Sequence, residues 1–155
     1  MPRQHTYETT VTWTGNRGTG TSGYRDYGRD HDLAADGPVT IAGSSDPAFR
    51  GDPSRWNPEQ LLVGALSQCH MLWYLHKCAA EGVVVTAYED RAHGVMAETA
   101  DGGQFTEVTL HPHVTVASPD MVETAQRLHA DAHAACFIAR SVNFPVHHKP
   151  TVVTA

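Results

Sequence analysis

The residues best suited to chemistry in this chain are Cys69, in the stretch NPEQLLVGALSQCHML, and Cys136, in ADAHAAC. A thiol reacts as its thiolate, which needs a cation or hydrogen-bond donors nearby, and a sulfenic acid formed on it needs a second thiol within reach to close a disulfide. Each cysteine falls on an apolar stripe with helical spacing, and two helices packed at the usual distance of roughly 8–10 Å can bring such sulfurs together. The competing reading is inert packing, because a buried free cysteine behaves as a small core hydrophobe. Arg17, Arg50 and Arg55 are the cations that could favour a thiolate, and spacing does not choose among them. Glu59 opens the same predicted helix as Cys69 but lies ten residues earlier, roughly 15 Å along the axis. The two can share a site only if Glu59 comes from a second copy of the helix, which points to a two-fold homodimer with the site at its interface.

Other candidates read more blandly. Cys78 lies near the end of the predicted helix, on the side away from Cys69, and is expected to be a packing residue. Eleven histidines invite a metal reading: His111 and His113 on one strand face, His129 and His133 at i and i+4, and His147 beside His148. No HExxH or CxxC accompanies them, so no metal or other cofactor is expected. His70 and His76 flank the thiol helix, with His70 pointing away from the cysteine stripe. Thiol-based hydrolysis with Cys69 and a histidine has no recognisable signature here.

The composition sets the frame. A chain of 155 residues, 41% hydrophobic and 18% charged, suits one domain spanning 1–155 with its own core. The net charge of −6 and the lack of any Lys/Arg-rich run argue against a nucleic-acid partner. No apolar stretch approaches the roughly 20 residues that span a bilayer, and MPRQHTYETT has no signal-peptide core, so a cytoplasmic protein without a membrane partner is expected. Three cysteines, an odd number, fit reduced thiols better than a disulfide scaffold.

The elements that must position the thiols follow from periodicity. TYETTVTWTG alternates as a strand, GNRGTGTSG supplies a glycine-rich hairpin, a second short strand is expected near Tyr24 to Tyr27, and GPVTIAG gives a third. SSDPAFRGDPSRW reads as a loop. From Asn57 to Glu81 the pattern is helical: Asn57 can cap, Pro58 fits the first position, Glu59 suits the positive end of the dipole and Gly82 can close the C-terminus. Its apolar positions, Leu62, Ala65, Leu66, Cys69, Leu72, Trp73 and His76, predict a helix buried round much of its circumference. VVVTAYEDRA and QFTEVTLHPHVTV read as two long strands joined by a turn around Asp101 to Gly103. A second core helix is expected from Ser118 through the stripe Val122, Ala125, Leu128, Ala132, Cys136 and Ala139. FPVHHKPTVVTA supplies a last strand, confined to an edge by its prolines. The predicted order is β-β-β-α-β-β-α-β, an α+β layout with two buried central helices.

With these residues in view, NPEQLLVGALSQCHM and ADAHAAC resemble the two cysteine motifs of the OsmC and organic hydroperoxide resistance (Ohr) family, and TWTGNRGTG, FRG and the order of elements fit it along nearly the whole chain. The resemblance implies an OsmC-like fold in an intertwined homodimer. It also implies a thiol peroxidase without metal or haem, serving the response to oxidative stress: Cys69 would be the peroxidatic cysteine, Cys136 the resolving one, and Glu59 and an arginine would stand in the site. Arg50 and Arg17 fit the family's arginine positions about equally. The chain differs from the family pattern in having Gln60 where a second glutamate is common and Phe137 where proline often follows the second cysteine. The implied substrate is an organic hydroperoxide, favoured by apolar neighbours such as Leu66, Leu72 and Trp73, and the implied reductant is a lipoyl protein or a thioredoxin-like dithiol. The reading from another class is a non-catalytic small-molecule binding or redox-sensing protein of the same fold.

Overall fold

In the computed structural model, which describes Met1–Ala155, the chain forms two units, Met1–Leu61 and Leu62–Ala155. The first carries an antiparallel sheet of β1 (Thr10–Trp13), β2 (His31–Ala34) and β3 (Ile41–Gly43) in that order. Trp13 pairs with His31, and His31 with Gly43. The second strand therefore starts at His31, not near Tyr24 to Tyr27 as the sequence suggested. The reason is local: Asn16 Oδ1 accepts the N–H groups of Gly18 and Gly20, and both glycines take positive φ, so alternation is broken by a hydrogen-bonded turn. The predicted loop that follows holds one 3-10 turn, Pro47–Phe49. It ends where the Ser44 N–H bonds Trp56 O (2.8 Å) and the Trp56 N–H bonds Ala42 O (3.0 Å).

Helix α1 spans Pro58–Ala80, close to its predicted limits. Asn57 Oδ1 accepts the Gln60 N–H (2.8 Å) while Gln60 Oε1 accepts the Asn57 N–H (3.1 Å). This reciprocal capping box satisfies two orphan donors, with Gln60 completing it. At the other end the Val83 N–H reaches Cys78 O (2.9 Å) and the Gly82 N–H reaches Ala79 O, with Gly82 at φ 74°, the arrangement of a Schellman motif. The buried residues are Leu66, His70, Tyr74 and Cys78, a stripe at i, i+4, i+8 and i+12. The expected burial round much of the circumference is not seen: Leu72 is 61% exposed and His76 is exposed, because the packing neighbours cover one face.

In Leu62–Ala155, β4 (Val85–Asp90), β5 (His93–Thr99), β6 (Gly102–Leu110), β7 (Pro112–Val116), β8 (Val146–His148) and β9 (Thr151–Thr154) build two sheets, β4-β7-β9 and β5-β6-β8, with helix α2 (Val122–Ala135) following β7 in the chain. The two long strands of the sequence reading are thus four, and the last strand is two. The breaks coincide: Asp90 Oδ1 accepts the His111 N–H (2.6 Å), the His111 ring contacts Arg91 O (3.0 Å), and the Lys149 N–H bonds Leu110 O (2.8 Å). The chain changes sheets at each break, and Pro150, which has no N–H, sits in the last one. β8 and β9 lie at sheet edges, pairing in parallel with β6 and β7. The expected turn near Asp101 does join β5 to β6, with Gly102 at φ 121°.

The core of this unit packs Tyr74, Cys78, Val114, Val116, Leu128 and Ala132, with a second cluster around Leu66, Val108 and Leu110. Ser118 starts a 3-10 turn, Pro119–Met121, instead of capping α2 directly, and its hydroxyl bonds the Asp120 carboxylate. Helix α2 stops before Cys136, which the sequence had placed inside it. Cys136 adopts extended angles (φ −64°, ψ 115°), and its carbonyl accepts the Arg140 N–H (3.1 Å), so a separate turn, Ala139–Ser141, replaces continuation of the helix. No helix is long and apolar enough to cross a membrane. Two substitutions test the ends of α1: Asn57→Ala and Gly82→Ala are each expected to cost about 1 kcal/mol in urea denaturation. An unchanged midpoint for either would remove that cap from the account.

Candidate active site

Cys69 is half-buried on α1, Cys136 is 1% exposed at the end of α2, and neither is in a disulfide. Their side chains are close enough to interact directly. The Cys136 sulfur also receives the Ala139 N–H (3.5 Å) from the following turn. Burial pushes the Cys136 thiol up to about 11; the Ala139 and Ile138 N–H groups act the other way, and Cys69 adds to the rise. Cys136 therefore stays a thiol at neutral pH, with the more exposed Cys69 beside it, an arrangement able to form and break a disulfide. Cys69, Leu72, Trp73 and His76 share one helical face at i, i+3, i+4 and i+7. Leu72, Trp73 and His76 line a shallow apolar cavity of about 240 Å³. Phe137, at the position where proline is common, meets Trp73 edge-to-face at 5.3 Å. Cys78 lies in the core, its thiol pushed up by burial, as a packing residue should.

The charged candidates belong to Met1–Leu61. Glu59 Oε2 is buried with no hydrogen-bond partner, so none of the three arginines engages that oxygen. Arg17 and Arg50 are exposed and line one cavity of about 350 Å³. Arg55 does not join them: its Nε donates to Gly43 O (2.8 Å), and its Nη2 donates to His31 O (3.0 Å) and faces Asp32 (3.4 Å). It is a brace between β2 and β3.

A histidine cluster escaped the sequence reading. His70 points away from the Cys69 face, as expected, but into the core, where its Nε2 lies 3.1 Å from His129 Nδ1. His129 stacks on Tyr74 at 3.8 Å between centroids, and His148 packs against His70 (5.8 Å) and His133 (5.4 Å). The only available signal was His129 at i+4 from Ala125 and His70 at i+4 from Leu66, polar residues on apolar stripes. No group of three or more His, Cys, Asp or Glu residues is arranged to hold a metal ion. Burial, followed by the charges of neighbouring histidines, holds His70 down at about 4 and His129 at about 3.

Comparison with known proteins bears on this geometry. The family model for OsmC-like proteins matches residues 51–151. Among solved structures, an OsmC-like protein of unknown function from Vibrio cholerae is 30% identical with a TM-score of 0.85, over 96% of this chain and all of its own. An organic hydroperoxide resistance protein from Elizabethkingia anophelis, solved with thiocyanate from the crystallisation medium, is 20% identical with a TM-score of 0.72 over all of both chains. One from Legionella pneumophila is 18% identical with a TM-score of 0.70, over 99% of this chain and 100% of its own. The mixed α+β fold, with two helices and three small sheets, is that of OsmC-like proteins. No curated protein sequence matches the chain.

The histidine pair makes stability depend on pH. Both rings are neutral in the fold, whereas in the unfolded chain they protonate near 6.5. Their contribution is present above that value and is lost as pH falls through it towards 4. Lowering the pH from about 7.5 to about 5 should remove on the order of 2–4 kcal/mol of unfolding free energy. A His70→Gln/His129→Gln double variant should lose most of that slope in urea titrations at each pH. An equal slope in the variant would place the acid sensitivity elsewhere.

Proposed function

Because the chain belongs to the OsmC-like protein family, we propose that it is a cysteine-based peroxidase that reduces organic hydroperoxides to alcohols. The observation that carries this reading is the direct approach of Cys69 and Cys136. Hydroperoxide resistance is the stated role of the Elizabethkingia and Legionella proteins, whose likeness to this chain extends to the fold.

In the proposed reaction the Cys69 thiolate attacks the distal oxygen of the hydroperoxide. The O–O bond breaks, the alkoxide takes a proton and leaves as the alcohol, and Cys69 becomes a sulfenic acid. Cys136 then attacks that sulfur, the S–S bond forms, and the hydroxyl leaves as water with the Cys136 proton. The two thiols have supplied the two electrons that the peroxide accepts, and an external dithiol, a lipoyl protein or a thioredoxin-like partner, returns them. Arg17 or Arg50 is assigned to stabilise the thiolate and Glu59 to orient that arginine, with the site completed in a homodimer. The unpartnered Oε2 of Glu59 supports that assignment, since a buried carboxylate oxygen calls for a donor. A reducing, cytoplasmic setting would supply the dithiol. The apolar face of Leu72 and Trp73 favours an alkyl peroxide over hydrogen peroxide.

Thiol titration after one equivalent of cumene hydroperoxide tests the reading. Wild type should lose two thiols quickly, Cys136→Ser should lose one and yield a trappable sulfenic acid, and Cys69→Ser should not react. Because Cys136 is held protonated, closure of the disulfide should accelerate as pH rises above 7, towards about tenfold per unit where thiolate fraction limits it. Thiols that survive in all three proteins would leave the fold intact and point to ligand binding without turnover.

A further inference from the structure

The thiol reading uses one arginine, whereas the cavity in Met1–Leu61 is lined by three: Arg17, Arg29 and Arg50. None of the three forms an ion pair. Of the two carboxylates in the same wall, Asp30 faces Arg55 (3.8 Å), and Asp52 Oδ1 receives the N–H (2.9 Å) and hydroxyl (2.7 Å) of Ser54. Three guanidiniums against two carboxylates leave one positive charge in a chain whose net charge is −6. Like charges in excess over the carboxylates beside them repel, and that cost is relieved by an anion.

The cations are placed rather than merely gathered. Arg29 donates to Tyr27 O (2.6 Å) and Tyr24 O (2.8 Å) and lies over both rings, at 3.9 and 4.6 Å from their centroids. The Arg50 guanidinium sits 6.0 Å from the same Tyr24 ring. Arg17 Nη2 lies over Gly28, 3.6 Å from where a Cβ would stand. Behind them the wall is backbone: the Gly28 N–H bonds Gly15 O (2.8 Å), and a Cβ on Gly15 would fall 2.0 Å from Gly28 O. Arg50 is the only non-glycine residue with positive φ, 65°. It is the left-handed cap of the turn Pro47–Phe49, its N–H bonded to Pro47 O, a position that glycine or asparagine would hold with less strain.

We propose that this cavity binds a small monocarboxylate, with the free planar forks of Arg17 and Arg50 gripping its two oxygens and Arg29 fixed behind them. A guanidinium matches a carboxylate with two parallel hydrogen bonds. The single net positive charge suits a monoanion better than a phosphate dianion, and about 350 Å³ leaves room for a short hydrocarbon tail, the size of a small-ligand pocket.

The test is calorimetric titration of the full-length reduced protein with sodium hexanoate, and with hexanol and inorganic phosphate as controls. No peroxide is present, so the outcome is separate from that of the thiol chemistry. Saturable one-to-one binding of hexanoate is expected, with no binding of hexanol and weakening at higher salt. Arg17→Gln and Arg50→Asn should each weaken it about tenfold or more, and Arg50→Asn keeps a residue that tolerates the turn. Circular dichroism and urea midpoints establish that both variants fold. The proposal fails if hexanoate does not saturate, if both folded variants bind it as wild type does, or if phosphate binds more tightly than hexanoate.

Discussion

Two buried polar contacts fix α1 against α2, and the thiol pair depends on both. The Tyr74 hydroxyl donates to Ala125 O (2.9 Å), and His70 Nε2 and His129 Nδ1 are hydrogen-bonded at 3.1 Å. Apolar packing alone tolerates small slides between helices, whereas a hydrogen bond in a dry interior is lost when its partners separate, at the full cost of desolvation. Burial holds the Tyr74 phenol well above its ordinary range and both histidines well below theirs. All three groups are therefore uncharged in the fold, and the contacts need no counterion. The register they set is the register at which Cys69 on one helix meets Cys136 at the end of the other.

Helix α1 accordingly divides its labour by face. The stripe Leu66, His70, Tyr74 and Cys78 makes the core, while Cys69, Leu72, Trp73 and His76 remain on a face with open apolar surface. The termination of α2 completes the division. A cysteine held inside a helix leans along the preceding turn, whereas the extended angles of Cys136 let its sulfur take the Ala139 N–H and face Cys69. A buried thiol so placed is protected from direct oxidation and remains available to a sulfenic acid formed next to it.

The helix boundaries of α1 were legible because caps are local: Asn57, Pro58 and Gly82 state them within a few residues. The surroundings of the two cysteines were less so: the stripes predicted for them are not the ones built, since Cys69 lies off the buried face of α1 and Cys136 lies past the end of α2. The sheet breaks were not legible. Nothing in QFTEVTLHPHVTV announces that His111 leaves one sheet for another; the break is set by the Asp90 carboxylate, 21 residues away, and by the Lys149 N–H. Strand limits are decided by partners, and partners are tertiary. The same holds for the histidines, whose polarity spoke against the core until His70 Nε2 was seen beside His129 Nδ1.

The arginines show the limit of whole-chain charge as a guide. A net charge of −6 disfavours long anionic partners, because those sample the field of the entire surface. A small anion in a cavity samples only its wall. Arg55, the nearest of the candidate arginines to the thiol helix in sequence, is spent on the β2 and β3 backbone and on Asp30 and Asp32. Asp30 and Asp32 thus face Arg55 and not Arg17, Arg29 or Arg50, so the positive character of the cavity is a product of how the acidic residues are disposed, which no count of charges along the chain could register.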